Sequence, residues 1–164
     1  MNSHFRPFVR PGRWRGTTMI ELIMTISVLS ILTGMAVPVA RYTLKREKER
    51  ELRRELWEMR DAIDRYKVDS DLSLFTSIKK LGDDGYPPDL ETLVKGVDVQ
   101  GDVKGKKIKF LHSLPVDPMT GQSDWGLRAM QDDPQSDSFG GHSIYDVYSR
   151  SEDTALNGTK YKDW

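Results

Sequence analysis

Gly16-Thr17-Thr18-Met19-Ile20-Glu21 stands at the head of a run, Thr17 to Ala40, in which Glu21 is the only charged residue. A carboxylate at bilayer depth is costly, so an acid kept in such a run reads as a functional group awaiting a partner. On its N-terminal side lies a basic stretch, Met1 to Gly16, with Arg6, Arg10, Arg13 and Arg15 and no acid. On its C-terminal side, Leu22 to Ala40 is long enough to cross a hydrocarbon core as a helix, which takes roughly 20 residues. A cleaved secretory signal fits poorly, because the apolar core is too long and no small-residue site follows it cleanly. The plain alternative is a signal-anchor helix with one stray carboxylate. Pro38 near the end of the run, with Gly34 one turn earlier, removes a backbone hydrogen bond and weakens the helix there.

Beyond Ala40, Arg41 to Asp69 holds no glycine or proline, and Leu52, Leu56, Met59, Ile63 and Tyr66 recur at spacings of four and three. That places them on one stripe of a solvated helix whose other faces are charged. The spacing predicts one helix from about Thr18 to about Lys67, apolar at its start and amphipathic at its end. A two-stranded coiled coil is the other reading of the stripe. Only about two heptads are present, which favours a globular head packed on it.

A chain of 164 residues with one spanning segment leaves roughly a hundred outside lipid, room for one small domain. Cysteine is absent, so neither a disulfide nor a thiolate is available to that domain. Global charge does not suggest a nucleic-acid binder. The later grammar is that of short elements divided by turns. Ser70 to Lys80 is open between short helix and loop, and Gly82-Asp83-Asp84-Gly85 is a turn. Tyr86-Pro87-Pro88 enters a short helix with Leu90, Leu93 and Val94 inward, ended by Gly96. Val97 to Phe110 reads as a loop or weak hairpin, where Lys104, Lys106, Lys107 and Lys109 are more simply solubilising than phosphate-binding. Leu114 to Gly121 is rich in turn residues. Trp125 to Met130 and Ser143 to Ser149 read as strands, Asn157-Gly158 as a turn, and Trp164 as an anchor that ties down the tail.

Basic leader, Gly16, Glu21, apolar run, Pro38 and amphipathic extension together resemble the shared stem of type IV pilins and type II secretion pseudopilins. The order Tyr86-Pro87, Leu90/Leu93, Leu114-Pro115-Val116-Asp117-Pro118, Tyr145-Asp146-Val147-Tyr148-Ser149 and a final tryptophan is similar to the major, G-type pseudopilin. The resemblance implies an α+β, type IV pilin-like fold: a long N-terminal helix, transmembrane and then amphipathic, packed on a small C-terminal antiparallel β-sheet with long loops. It divides the chain into a prepilin leader (1–16), a transmembrane assembly helix (17–40), an amphipathic extension (41–69) and a globular periplasmic head (70–164).

The same resemblance implies cleavage between Gly16 and Thr17 by a prepilin peptidase, with N-methylation of Thr17. Removing the leader's four arginines from the 25 basic groups leaves 21 against 25 acidic ones. Glu21 then meets the Thr17 ammonium of a neighbouring subunit, and Gly34 and Pro38 allow the helix to melt locally on assembly. Implied partners are further copies in a homopolymer, minor pseudopilins, an inner-membrane platform protein, a secretion ATPase and membrane lipid. No nucleic acid is expected. The implied location is the inner membrane, single-pass, with the C-terminal domain in the periplasm and the assembled pseudopilus there.

Three departures stand out. The first mature residue of this family is normally Phe or Met, and here it is Thr17. Arg41, Lys45, Arg46, Lys48 and Arg50 follow the apolar run closely, so the positive-inside count alone does not orient it. The family's G-type subunit often binds Ca2+ in its C-terminal loop. Asp153 matches one ligand position, but Lys160 stands where a later aspartate is expected, and an ammonium repels a cation. Asp132, Asp133, Asp137, Asp146 and Glu152 offer a different oxygen cage, although scattered surface acids are the simpler account. No cofactor is expected, and calcium stays open.

His4, His112 and His142 form no metal spacing, and no phosphate loop, nucleophile elbow or environment-split carboxylate pair is present. No enzyme is expected. The function implied is a structural subunit of a type II secretion pseudopilus. The alternatives are a type IV pilin, major or minor, and a single-pass anchored periplasmic binding module.

Overall fold

The computed structural model describes residues 16–75, 84–101, 105–134 and 136–164. The chain divides at Tyr42/Thr43 into two units. Helix α1 runs Met19–Asp71, four residues past the end that the sequence predicts, and passes through Pro38 without interruption. Its start is set by Thr18, whose carbonyl accepts from Leu22 N–H at 3.1 Å and whose hydroxyl accepts from Glu21 N–H at 3.3 Å. Thr18 and Glu21 form the T-x-x-E spacing of a capping box, and Glu21 lies in the first turn, where the helix dipole favours an anion.

Within the apolar stretch, hydroxyls bond back to the preceding turn: Thr25 to Leu22 O at 2.9 Å, Ser27 to Ile23 O at 2.8 Å and Thr33 to Leu29 O at 2.8 Å. A spanning helix needs its polar groups satisfied internally, and these three are. The one residue that breaks the ladder is Pro38, which cannot donate to the carbonyl of Gly34.

In the second unit the stripe is inside. Leu52, Leu56, Met59, Ala62, Ile63 and Tyr66 are buried against Phe75, Leu90, Leu93, Phe110, Leu111, Trp125, Ile144, Val147, Ala155 and Tyr161. The chain's own head therefore covers the stripe, in place of a second helix. An aromatic trio closes one end, with Tyr66 4.9 Å from Phe75 and 5.3 Å from Phe110 between ring centroids.

Helix α2 (Leu90–Lys95) is capped by Asp89, whose carboxylate accepts from Thr92 N–H at 2.6 Å. Gly96 ends it at φ 80°, and a Cβ there would lie 2.6 Å from Ile108 O, so both backbone and space require glycine. Strands β1 (Val97–Asp98) and β2 (Lys107–Ile108) form a two-residue antiparallel hairpin, with Phe75 bridged to Val99 beside it. Strands β3 (Gly126–Arg128) and β4 (Asp146–Tyr148) pair antiparallel in a second small sheet, and a 3-10 turn covers Tyr161–Asp163.

The β structure is thus two small antiparallel sheets among the described residues, shorter than the segments Trp125 to Met130 and Ser143 to Ser149 suggest. Competing bonds cut the ladder. Ala129 N–H goes to Asp132 Oδ2 at 2.8 Å, and Ile144 N–H goes to Pro87 O at 2.8 Å. Of the turn Gly82 to Gly85, residues 82 and 83 lie outside the described residues, as do Lys104 and the leader up to Arg15.

Candidate functional site

Gly16, Thr17 and Thr18 are exposed and non-helical, and nothing lies within 4 Å of a Cβ placed on Gly16. An exposed peptide outside regular structure is open to a protease. Glu21 is exposed at the first turn, and every large apolar residue from Met19 to Val39 is exposed as well, Met19 at 83% and Val39 at 65%. The helix is long and apolar enough to cross a membrane, with a mean hydropathy of 2.1 in its most apolar window and none of that window buried. Such a surface requires lipid or other protein over it, since monomers in water rarely expose a contiguous apolar patch beyond a few hundred Å². Gly34 has open space around it, and Pro38 is exposed.

The C-terminal loop, residues 150–161, is built from the helix side. Lys45 Nζ donates to Thr154 O at 2.6 Å. One turn on, Glu49 Oε1 accepts from Leu156 N–H at 2.7 Å and from the Tyr161 hydroxyl at 3.0 Å. Burial, reinforced by the Glu49 bond and charge, pushes the Tyr161 phenol up to about 12. Inside the loop, Ala155 N–H bonds Thr159 O at 2.8 Å, Tyr161 N–H bonds Asp153 O at 3.3 Å, and Thr154 bridges Lys160 antiparallel. Trp164 closes the segment: its ring is 5.1 Å from Tyr161, Arg53 stacks over it at 3.8 Å, and its indole N–H bonds Thr159 Oγ1 at 2.7 Å.

A buried polar relay supports the same loop from the other side. Asp117 is fully buried, accepting from Met119 N–H at 2.7 Å and from the Ser149 hydroxyl at 2.6 Å. Ser149 Oγ accepts from Ser151 N–H at 3.1 Å, and Ser151 Oγ from Asp153 N–H at 3.3 Å. Arg60 forms the second clasp, bonding Asp146 Oδ1 at 2.6 Å, Val147 O at 3.1 Å and Trp164 O at 2.7 Å.

The acids named as cage candidates are spread among separate partners. Asp132 caps Ala129 N–H and Gly140 N–H, Asp137 pairs with Lys162 at 3.0 Å, and Asp146 holds Arg60. The Asp137 carboxylate raises the Lys162 ammonium above its ordinary range. Asp153 and Glu152 point from an exposed stretch. Among the described residues no three His, Asp or Glu side chains gather at a place that would hold a metal ion. Thr154 O, a carbonyl of the loop in which the resemblance implies calcium, already carries an ammonium. His112 and His142 are both exposed.

Compared with known proteins, the chain matches no family model, no curated sequence and no solved structure.

Sequence reasoning missed Lys45, Glu49, Arg60 and Asp117. A signal existed for the first two: Lys45 and Glu49 extend the stripe of Leu52, Leu56 and Met59 backwards at the same spacing. Polar residues in register with an apolar stripe reach the same face. Arg60, four residues after Leu56 and three before Ile63, carries the same mark but stands among many other charges on the helix, and Asp117 carries none.

Proposed function

We propose that this chain is a structural subunit of a type II secretion pseudopilus, cleaved between Gly16 and Thr17 and polymerised through the apolar part of α1. The observation that carries this reading is the bare helix from Met19 to Val39, entered through an accessible Gly16-Thr17 bond and bearing Glu21 as its one charge.

Cleavage creates an ammonium four residues before Glu21. In the separate chain the first-turn dipole and water support the carboxylate. In a bundle of copies, water is excluded and the carboxylate needs a donor, which the Thr17 ammonium of an adjacent copy supplies. Two apolar helices can slide past one another at little cost, but a charge pair fixed on both cannot, so the pair sets register as well as neutrality. Gly34 and Pro38 contribute a point where the ladder already lacks a bond, which lowers the cost of local unwinding when copies pack. Platform protein, ATPase and minor subunits are the partners that such a filament needs in order to grow from a membrane.

The test is co-expression with a prepilin peptidase, read by intact mass. The expected result is loss of the first sixteen residues from the parent chain and retention in Gly16→Ala. Identical masses with and without the peptidase would remove the basis of the reading. In processed chains, Glu21→Val is expected to insert in the membrane at least as well as the parent yet fail to form sedimentable fibres.

A further inference from the structure

We propose that Lys45 and Glu49 of α1 do for the loop 150–161 what a bound cation would do, so that the head is seated and held without calcium. The calcium comparison rests on the pseudopilin reading; the latch itself rests only on the contacts.

A cation holds such a loop by drawing backbone carbonyl oxygens and carboxylates to one point. Here the point is occupied by a charge that belongs to the chain. The Lys45 ammonium lies 2.6 Å from Thr154 O, a hydrogen bond to a full positive charge, while Glu49 takes Leu156 N–H at 2.7 Å two residues further along. One side chain grips a carbonyl and the other an amide, so both backbone polarities of the loop are matched from a single helical turn. Glu49 also fixes the Tyr161 hydroxyl at 3.0 Å, tying down the end of the loop as well as its middle.

A divalent ion has little left to bind. Calcium at 2.3–2.6 Å from its ligands would displace the Lys45 ammonium from Thr154 O and sit against its charge. The carbonyl of Asp153 accepts from Tyr161 N–H, and Lys160, bridged to Thr154, brings a second ammonium to the strand opposite. The relay from Asp117 through Ser149 and Ser151 to Asp153 N–H gives the loop a second attachment made wholly of protein groups.

The full-length chain in detergent micelles tests this by limited trypsin digestion, which reports opening of the loop through cleavage after Arg150 and Lys160. Cleavage of a segment that recloses quickly tracks the population of its open form. The parent chain is expected to be cut equally slowly in millimolar calcium and in a chelator. Lys45→Met and Glu49→Gln should each be cut about tenfold faster or more, as the loss of a charge-assisted hydrogen bond implies, with no rescue by calcium. Lys45→Arg, which keeps the cation, should restore the parent rate. Slower cleavage of the parent in calcium, or variants as resistant as the parent, would overturn the proposal. A second measurement needs no variant. Terbium added to the parent should give no calcium-competed luminescence sensitised by Tyr161 and Trp164, and such a signal would also overturn it. Processing at Gly16 reads different residues, so either proposal can fail while the other stands.

Discussion

At the residue scale the pair Glu49–Tyr161 ties an ionisation to the seating of the loop. Tyr161 is 1% exposed, and its phenol is pushed up to about 12 from an ordinary value of 10.0 by burial first, then by the Glu49 bond and charge, with Asp153 adding to it. The folded state therefore keeps the proton more tightly than the unfolded state. The stabilisation is fully present below pH 10 and is lost as pH rises through about 12. Alkaline titration followed by tyrosinate absorbance should show one phenol titrating late in the parent. In Glu49→Gln that phenol should titrate earlier, because a neutral amide removes the charge that opposes phenolate. No change of the late phenol in this variant would mean that burial alone sets it. The residue scale is also where sequence reading reached least far. Glu21 stands out in the sequence as a lone charge among apolar neighbours, and the structure places it exposed in the first turn of α1. Asp117, fully buried between Met119 N–H and the Ser149 hydroxyl, looked like one more turn residue, since the 32 positions separating it from Ser149 leave no mark in the chain.

At the scale of elements, helices were far more legible than strands. The spacing of Leu52, Leu56, Met59, Ile63 and Tyr66 is a repeat that a helix must honour, and all five are buried. Pro87-Pro88 and Gly96 bracket α2 for equally local reasons, and Asp89 caps it. The β segments were found in place and type but overextended, because their ends are decided by Asp132 and Pro87 taking hydrogen bonds the ladder would need. What remains of β3 is fitted closely to β4. Gly126 pairs with Tyr148, and a Cβ on Gly126 would sit 2.2 Å from the Tyr148 ring, over which Arg128 stacks at 4.1 Å. The ring is buried, and moving it away from β3 would also disturb its stacking with the guanidinium. Gly126→Ala is therefore expected to cost about 1–3 kcal/mol by overpacking. Thermal unfolding should show a lowered midpoint. Parent-like stability would mean that β4 shifts freely, and that Tyr148 does not anchor the sheet.

At the scale of the whole molecule, two solvents are written into one chain. From Met19 to Val39 the large apolar side chains are exposed, whereas from Leu52 onward the stripe is covered by the chain's own head. The two units meet the hydrophobic effect in different ways, one by burial within itself and one through whatever surrounds it. The second unit, Thr43–Trp164, contains the stripe, both sheets, the Asp117 relay and the Lys45 and Glu49 contacts. All the interactions identified as holding the head lie inside it. A fragment beginning at Thr43 is therefore expected to fold as a soluble monomer without detergent, with a cooperative unfolding transition. Its new helix start should fray over about the first turn, where amides lack partners, although threonine is itself a favoured cap. Lys45 lies in that turn and Glu49 beyond it. Loop cleavage after Arg150 should consequently be faster in the fragment than in the full chain, while the core amides of Leu56 to Tyr66 exchange at similar rates in both. Hydrogen exchange read by mass spectrometry separates the two effects. A fragment that is unfolded or aggregated would show that the head draws part of its stability from residues before Thr43.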